Sequence, residues 1–585
     1  MDLYQSTKGQ QSKPASKLPK MSMNRSNHAA NKAAEDAVFF EDYIRSTPPE
    51  NVYIHYGPTN SGKTYESRNA LIAKFEKEQW TTPGSGVYAS PLRMLAYENY
   101  ETISERVGAE NVGLMTGEES INPDAPIICS TMEMVPQEGK FLIVDEAHWL
   151  VDLDRGAVWT RAIRNVSFEE VHIISAAEAK DLVESLVQDA KNIHVTNHTR
   201  FNELAYDSQV FIKDIPERSA VICFSKKLVH MIAQRLLEQG KKVAVLYGAL
   251  PPYSRREQIN RFISGEADYI VTTDVIGHGI NLPVDNIVFA ETMKFDGVKH
   301  RPLRTWELAQ IAGRAGRFGL TENKGGKVFV LKGIRHMETD IALVQEGVSV
   351  ANGKAVSDLE AEVAYIAPTF RSLGVIESTG DIHERLRAWS RVVPMRSDLC
   401  PISLEQYTDK LIMIEDVLRF PCGINHLSGS KYGPNIENLW KLLAIPVEVE
   451  SDAFIPLASH LLLKNSVPLE LVIERSTESP DYKTLDELEK SVRLIQDMRL
   501  IVKCFAAENF ISADILAHYE AEYALTIDKK IMDSVADTRY GYCHRCQKDC
   551  APWMIYCSDT CHSDRSSKAP VKDKTRRDKR EMAKV

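Results

Sequence analysis

Gly57-Pro-Thr-Asn-Ser-Gly-Lys-Thr64 constrains the fold of this chain more than any other stretch. Gly57, four residues, then Gly62, Lys63 and Thr64 is the spacing of a phosphate-binding loop. The pattern requires a strand before it and a helix after it. Val52–Tyr56 supplies the β-favouring run, and a helix-compatible segment follows. Glycines let successive backbone N–H groups turn inward onto phosphate oxygens. In such a loop Gly57, Pro58, Thr59, Asn60, Ser61 and Gly62 form the cradle, Lys63 reaches the β- and γ-phosphates, and the Thr64 hydroxyl ligates Mg²⁺. A nucleoside triphosphate such as ATP is the expected ligand.

Around that loop the sequence alternates. Apolar, β-rich runs at 51–56, 86–89, 126–129, 141–144 and 171–174 are separated in several places by helix-length segments, which predicts a parallel α/β sheet. A second set begins near Ala220, with runs at 221–224, 243–246, 269–272, 287–290 and 328–331. The expected fold class is α/β, with two parallel-sheet domains in tandem and a ligand held between them. Beyond about residue 340 the alternation stops. Leu485, Leu488, Val492, Ile495 and Val502 then keep helical spacing, interrupted only by Arg499, so a helical region to about 535 is expected.

Phe141–Val144 ends in Asp145-Glu-Ala-His148. Two acids at the C-terminal edge of a buried strand, downstream of a phosphate loop, predict Asp145 as a Mg²⁺ partner and Glu146 as the base that orients and deprotonates the attacking water. Other loops at the same edge suit phosphate contacts that fix register without reading bases. They offer Pro91 and Arg93, Thr116 and Gly117, and Thr131. Ser175 and Ala176, small residues after a strand, are expected with His148 to couple the two halves.

In the second unit Gln310, Gly313, Arg314 and Arg317 fall at i, i+3, i+4 and i+7. That spacing predicts one polar helix face meeting the triphosphate, with Gln310 in the catalytic set and both arginines as fingers on the transferring phosphoryl group. Asp274, Gly277 and Gly279 are expected to bring loop backbone close to ATP. Ser225, Arg255, Thr272 and Thr273 are read as nucleic-acid backbone contacts.

Composition sets bounds. With 585 residues and 43% hydrophobic content, three to four domains with real cores fit. No run of 18 apolar residues occurs. A net charge of −10 argues against a uniformly basic nucleic-acid binder and leaves room for a local basic groove. Residues 1–37, rich in Ser, Lys, Asn and Gln, are expected as a disordered basic arm. The expected compartment is cytoplasmic, with the mitochondrial matrix as the alternative because acids are scarce in that arm. Five of the ten cysteines lie within 543–561. Cys543, Cys546, Cys557 and Cys561 suit a closed tetrahedral structural Zn²⁺, and Cys550, His544 and His562 stand close enough in sequence to replace one ligand. Residues 565–585 hold nine Lys/Arg against three acids, a tail suited to salt-dependent phosphate contacts.

Taken in order, these motifs resemble the superfamily 2 helicases over residues 50–335. GPTNSGKTY from Gly57, PLRMLAYE at 91–98, LMTGEE at 114–119, RGAVWTRAI at 155–163, YGALPP at 247–252, TDVIGHGINL at 273–282 and QIAGRAGRFG at 310–319 are similar to the mitochondrial degradosome (Suv-type) RNA helicase family. IAPTF at 366–370 and LRFPCGINH at 418–426 look like pieces of that family's helical C-terminal region. The resemblance implies two RecA-like domains and a Mg²⁺- and ATP-dependent RNA helicase moving 3′ to 5′ with some tolerance of DNA. It also implies an exoribonuclease partner. The domain layout expected is an arm at 1–37, RecA-like domains at 38–202 and 203–338, and a helical accessory region at 339–535. A zinc module at 536–564 and a tail at 565–585 complete it. Two departures stand out: His148 occupies a position that is usually Gln in the family, and the cysteine cluster is not part of its usual pattern. A DNA translocase in replication or repair is the competing reading, and a binding scaffold with a decayed motor is a third.

Overall fold

The computed structural model describes residues 45, 47–117, 119–277, 282–296, 298–316, 325–333, 339–369, 372–373, 382–392, 396–422, 436–445, 447, 451, 454, 480–504, 513–536 and 543. Gly279, Arg317, Cys546, Cys557, Cys561, the N-terminal arm and the basic tail lie outside the described residues.

The first sheet has eight strands: β1 (Asn51–Tyr56), β2 (Gly86–Ser90), β3 (Val112–Met115), β4 (Ser120–Ile121), β5 (Ile127–Thr131), β6 (Glu138–Val144), β7 (Ser167–Ser175) and β8 (Asn192–Asn197). Their order is β4-β3-β5-β2-β6-β7-β1-β8, with β4 alone antiparallel to its neighbour. The second sheet uses β9 (Leu204–Val210), β10 (Ser219–Ile222), β11 (Val243–Leu246), β12 (Tyr269–Thr272), β13 (Asn286–Phe289) and, after a hairpin of β14 (Met293–Phe295) and β15 (His300–Pro302), β16 (Gly326–Leu331). Its order is β11-β12-β10-β13-β16-β9, parallel throughout. The chain passes from one sheet to the other between β8 and β9.

The inner strands are apolar on both faces, so they read as continuous runs. Val221, Ile222, Val245 and Ile270, for example, are wholly buried. Burying one such side chain stabilises by about 1.5–3 kcal/mol before the entropy of ordering it is counted. Helices cover the faces: α1 (Lys63–Glu78), α2 (Arg93–Val107), α3 (Gly156–Arg164) and α4 (Lys180–Leu186) on the first sheet, α5 (Lys226–Glu238), α6 (Pro252–Ile263), α7 (Thr305–Ala312) and α8 (Ile341–Ala351) on the second. In α1 the buried positions are Ser67, Leu71, Ile72 and Phe75, the helical spacing of a one-sided face. Trp80 then packs edge-on to Phe75, with ring centroids 5.9 Å apart.

The described residues after 351 hold α9 (Ile382–Val392), α10 (Glu405–Cys422), α11 (Ile436–Ala444), α12 (Leu485–Cys504) and α13 (Ala513–Ala536), plus a short parallel pair, β17 (Ala364–Ile366) with β18 (Leu399–Pro401). The spaced residues Leu485, Leu488, Val492, Ile495 and Val502 are all buried along α12, and Arg499 pairs with Glu520 of α13. These two helices dock on the second sheet domain. Lys226 meets Asp486 and Glu489 at 2.6 Å, the Tyr247 hydroxyl donates to Glu489 at 2.8 Å, and Gln258 donates to Asp528 at 3.1 Å.

Candidate active site

The first sheet brings the C-terminal ends of its strands to a cleft, where ligands of open parallel sheets bind, and the second domain faces that cleft with α7, the turn 313–316 and the segment after α8. The loop 57–62 joins β1 to α1. Its conformation needs glycine at two places: Gly57 has φ 149° with the His198 carbonyl 2.5 Å from where a Cβ would stand, and Gly62 has φ 87° against Phe201. Asn60 is also left-handed, with φ 59°. Lys63 folds back into the cradle, donating to the carbonyls of Gly57 and, at 2.7 Å, of Pro58. Burial pushes its ammonium down to about 8, against the pull of Glu146 and Asp145. An ammonium held in a buried cradle by two carbonyls and, at 3.5 Å, the Ser61 hydroxyl is what phosphate oxygens would draw forward.

β6 delivers the acids. Tyr88 donates to Asp145 Oδ2 at 2.9 Å, the Glu146 amide donates to Oδ1 at 2.9 Å, and the Trp159 indole donates to the Asp145 carbonyl at 2.9 Å. Burial, then the neighbouring Glu146 charge, hold the Asp145 carboxyl well above its usual range. Glu146 adopts φ 49° and turns away from the strand. His148 is buried, with Nδ1 3.4 Å from Glu146, and neither of its ring nitrogens makes a hydrogen bond. A cavity of about 950 Å³ runs between the domains. Residues 57–64, Asp145, Glu146, His148 and Ala176 line it from the first domain, and Gln310 and Arg314 from the second. The donor set fits a triphosphate with Mg²⁺: an inward-turned loop, a lysine, a hydroxyl at Thr64 and a buried carboxyl. Arg314 is 3% exposed, donates to the Gly277 carbonyl at 2.8 Å, and has its guanidinium pushed below the usual range by burial, with Glu146 the first opposing charge.

Several expectations are corrected by this geometry. Gln310 and Arg314 do not share a helix face, because α7 ends at Ala312 and residues 313–316 form turns. Gly316 sits at φ +60°, and a Cβ on it would stand 2.3 Å from the Gly326 amide nitrogen, so no continuing helix fits there. Asp274 is not among the cavity's lining residues; it faces Lys294 at 3.5 Å. Gly277 contributes through its carbonyl to Arg314. Arg255 donates to the carbonyls of Leu250 and Gly248 in its own loop. Ser225 caps α5 by accepting from the Leu228 amide at 3.2 Å. The Thr272 hydroxyl is buried and donates to the Thr273 carbonyl, Thr116 accepts from the Glu119 amide, and Thr131 and Pro91 are buried. Arg93 is exposed at the start of α2, and Gly117 lies under Leu500 of α12. The Ser175 hydroxyl is buried without a hydrogen bond.

One residue carries no motif signal. Arg200, between the two sheets, donates to the Thr59 carbonyl and hydroxyl at 3.0 and 3.1 Å, to the Gly313 carbonyl at 3.0 Å and to the Ala315 carbonyl at 2.7 Å. It clamps the phosphate loop to the turn that carries Arg314. Arg256 also crosses the cleft, 4.9 Å above the Tyr97 ring and 3.9 Å from Glu119.

Two sheet domains meeting at a phosphate loop, with an arginine from the second domain in the shared cavity, define a pair of domains built to hold a nucleoside triphosphate between them. Residues 43–198 match the DEXQ-box helicase domain of Suv3, and residues 205–319 match the helicase conserved C-terminal domain. In the first of these matches His148 stands where that box is written with Gln. A Saccharomyces paradoxus protein named ATP-dependent RNA helicase SUV3, mitochondrial, is 36% identical over 291 residues, 47% of this chain and 38% of that one. The Arabidopsis thaliana DExH-box ATP-dependent RNA helicase DExH18, mitochondrial, is 32% identical over 289 residues, 47% of this chain and 35% of that one. The match thus spans well under half the length of these curated relatives. Among solved structures, S. cerevisiae Dbp5 bound to RNA and ADP BeF3 aligns with a TM-score of 0.40 at 18% identity, covering 56% of this chain and 88% of that chain, a likeness too loose to carry an argument.

Proposed function

We propose that this protein is an ATP-dependent RNA helicase whose hydrolysis cycle drives strand unwinding. The observation that carries the reading is the cavity itself, which gathers Lys63 and Glu146 from one domain with Gln310 and Arg314 from the other. Lys63 and the loop amides bind the phosphates, and Glu146 takes a proton from the attacking water. Arg314 meets charge on the transferring group, with Arg317, outside the described residues, assigned the same role. Thr64 and Asp145 would hold Mg²⁺, which would supply charge neutralisation for the phosphates. His148, Ser175 and Ala176 couple the cavity to the strand-binding side, where Arg93 is the exposed cation. Residues 339–535 serve as a helical accessory domain, and the cysteines of 543–561 hold structural Zn²⁺. Proteins similar to the motor are named mitochondrial RNA helicases, which favours RNA over DNA and the mitochondrion over the cytoplasm. Movement from 3′ to 5′ and an exoribonuclease partner belong to the same reading.

Unwinding of matched RNA and DNA duplexes with 3′ or 5′ overhangs, with Mg²⁺ and ATP, tests this. The expected result is ATP-dependent opening of RNA duplexes bearing a 3′ overhang. Preferential opening of DNA would replace the reading with a DNA translocase, and ATP-independent binding alone would leave a scaffold.

A further inference from the structure

Behind the phosphate loop three imidazoles stand in line. His172 Nε2 lies 3.2 Å from Glu170, which also accepts from Lys74 at 2.9 Å. His172 Nδ1 lies 3.2 Å from His55 Nε2, and His55 Nδ1 lies 3.1 Å from His198 Nε2. Proton positions follow from the outer end. A carboxylate only accepts, so His172 Nε2 carries the hydrogen and its Nδ1 is a lone pair. His55 Nε2 then donates to that lone pair, and His55 Nδ1 is left as a lone pair aimed at His198. His198 Nε2, which faces that lone pair, lies 3.8 Å from a Glu66 carboxylate oxygen. The three ligand atoms all fall within 4.8 Å of one another.

Two imidazole nitrogens and a carboxylate oxygen gathered in this way form a ligand set for a metal cation. Two nitrogens bound to one Zn²⁺ at about 2.0–2.1 Å would stand roughly 3.0–3.4 Å apart, which fits the spacing of His55 and His198. Glu66, 56% exposed on the first turn of α1, can rotate in as the third ligand. His172, held by Glu170, meets His55 Nε2 and fixes the orientation of that ring, as outer partners do in histidine metal sites.

We propose that His55, His198 and Glu66 bind a divalent transition-metal ion of the zinc class, with an open fourth position. The ion joins the end of β1, the first turn of α1 and the segment that carries Arg200 two residues further on. Lys63 opposes any cation here, and Glu66 supplies the compensating charge. The site is independent of the helicase reading, and its readout is metal content.

The experiment uses the full chain, stripped with a chelator, reloaded with Zn²⁺ and freed of excess by gel filtration, with zinc counted by mass spectrometry. The cysteine cluster contributes its own zinc equally to every variant. His198→Gln should hold one zinc fewer per chain than wild type. Loaded with Co²⁺, wild type should show visible bands, lacking thiolate charge transfer, that His198→Gln and Glu66→Gln lose. Both of those positions are partly exposed, so a failure of folding at buried His55 does not decide the matter. Equal zinc in wild type, His198→Gln and Glu66→Gln would overturn the proposal in favour of a proton-bridged histidine pair.

Discussion

Gly313 presses on Thr59 so closely that a Cβ on the glycine would stand 1.8 Å from the threonine hydroxyl. The turn that carries Arg314 thus touches the phosphate loop directly, backbone against side chain. Gly313→Ala forces the two domains apart at the point where they must meet the triphosphate. A misplacement of about 1 Å at a reacting centre can lower rate by roughly 100-fold. Steady-state ATP turnover should fall by about that factor, with the circular-dichroism melt of the first domain unchanged.

Arg200 holds the same junction by hydrogen bonds. Burial pushes its guanidinium down to about 10, so the contacts it makes are what keep it charged in place. Arg200→Ala leaves the carbonyls of Thr59, Gly313 and Ala315 without this donor. Each unsatisfied buried group costs about 1–3 kcal/mol. Urea unfolding should show a loss in that range or somewhat above it, together with weaker ATP binding. Arg200→Lys should recover only part of either, since an ammonium cannot reproduce the planar fork.

Glu146 is assigned the proton of the attacking water. Glu146→Gln should retain ATP binding and lose about 10²–10⁴-fold in single-turnover hydrolysis. A variant that hydrolyses normally would remove the carboxylate from the chemistry.

Lys63 gives the pH dependence a direction. Burial lowers its pKa to about 8, so the free protein loses this positive charge as pH rises through that value. Binding of the phosphates favours the charged form, and ATP affinity should therefore decline above about pH 8. Lys63→Arg, which stays charged, should flatten that alkaline limb. On stability the sign is opposite: the unfolded chain binds the Lys63 proton more readily, so the group disfavours folding below about pH 8 and its penalty is relieved as pH rises towards the ordinary lysine range. Nucleotide affinity by fluorescence titration, run beside a urea midpoint series, separates the two.

The motor was legible because its chemistry restricts residue type. Only glycine fits at Gly57 and Gly62, and only a buried apolar strand could end in Asp145 and Glu146 at a sheet edge. Strands β1, β2, β6, β11 and β12 were visible as apolar runs for the same reason. Exposed or edge strands such as β4 and β8 were not, because half-solvated positions carry mixed residues: all of β8 is exposed. Helical spacing misled at Gln310 and Arg314, where period alone cannot register that Gly316 needs a positive φ. Ser225 caps α5 and Arg255 bonds its own loop, local contacts that carry no motif. The links from Arg200 to Thr59 and Gly313, and from His55 to His172 and His198, span more than 100 residues and leave no local pattern.

The proposed function requires an arginine of the second domain to act on a triphosphate seated in the first. ATP turnover of Arg314→Ala, measured with saturating single-stranded RNA beside wild type, decides whether it does. Loss of an arginine finger costs about 10³–10⁵ in rate, so turnover should fall by at least three orders of magnitude while ATP still binds. Turnover within a few-fold of wild type would contradict the claim.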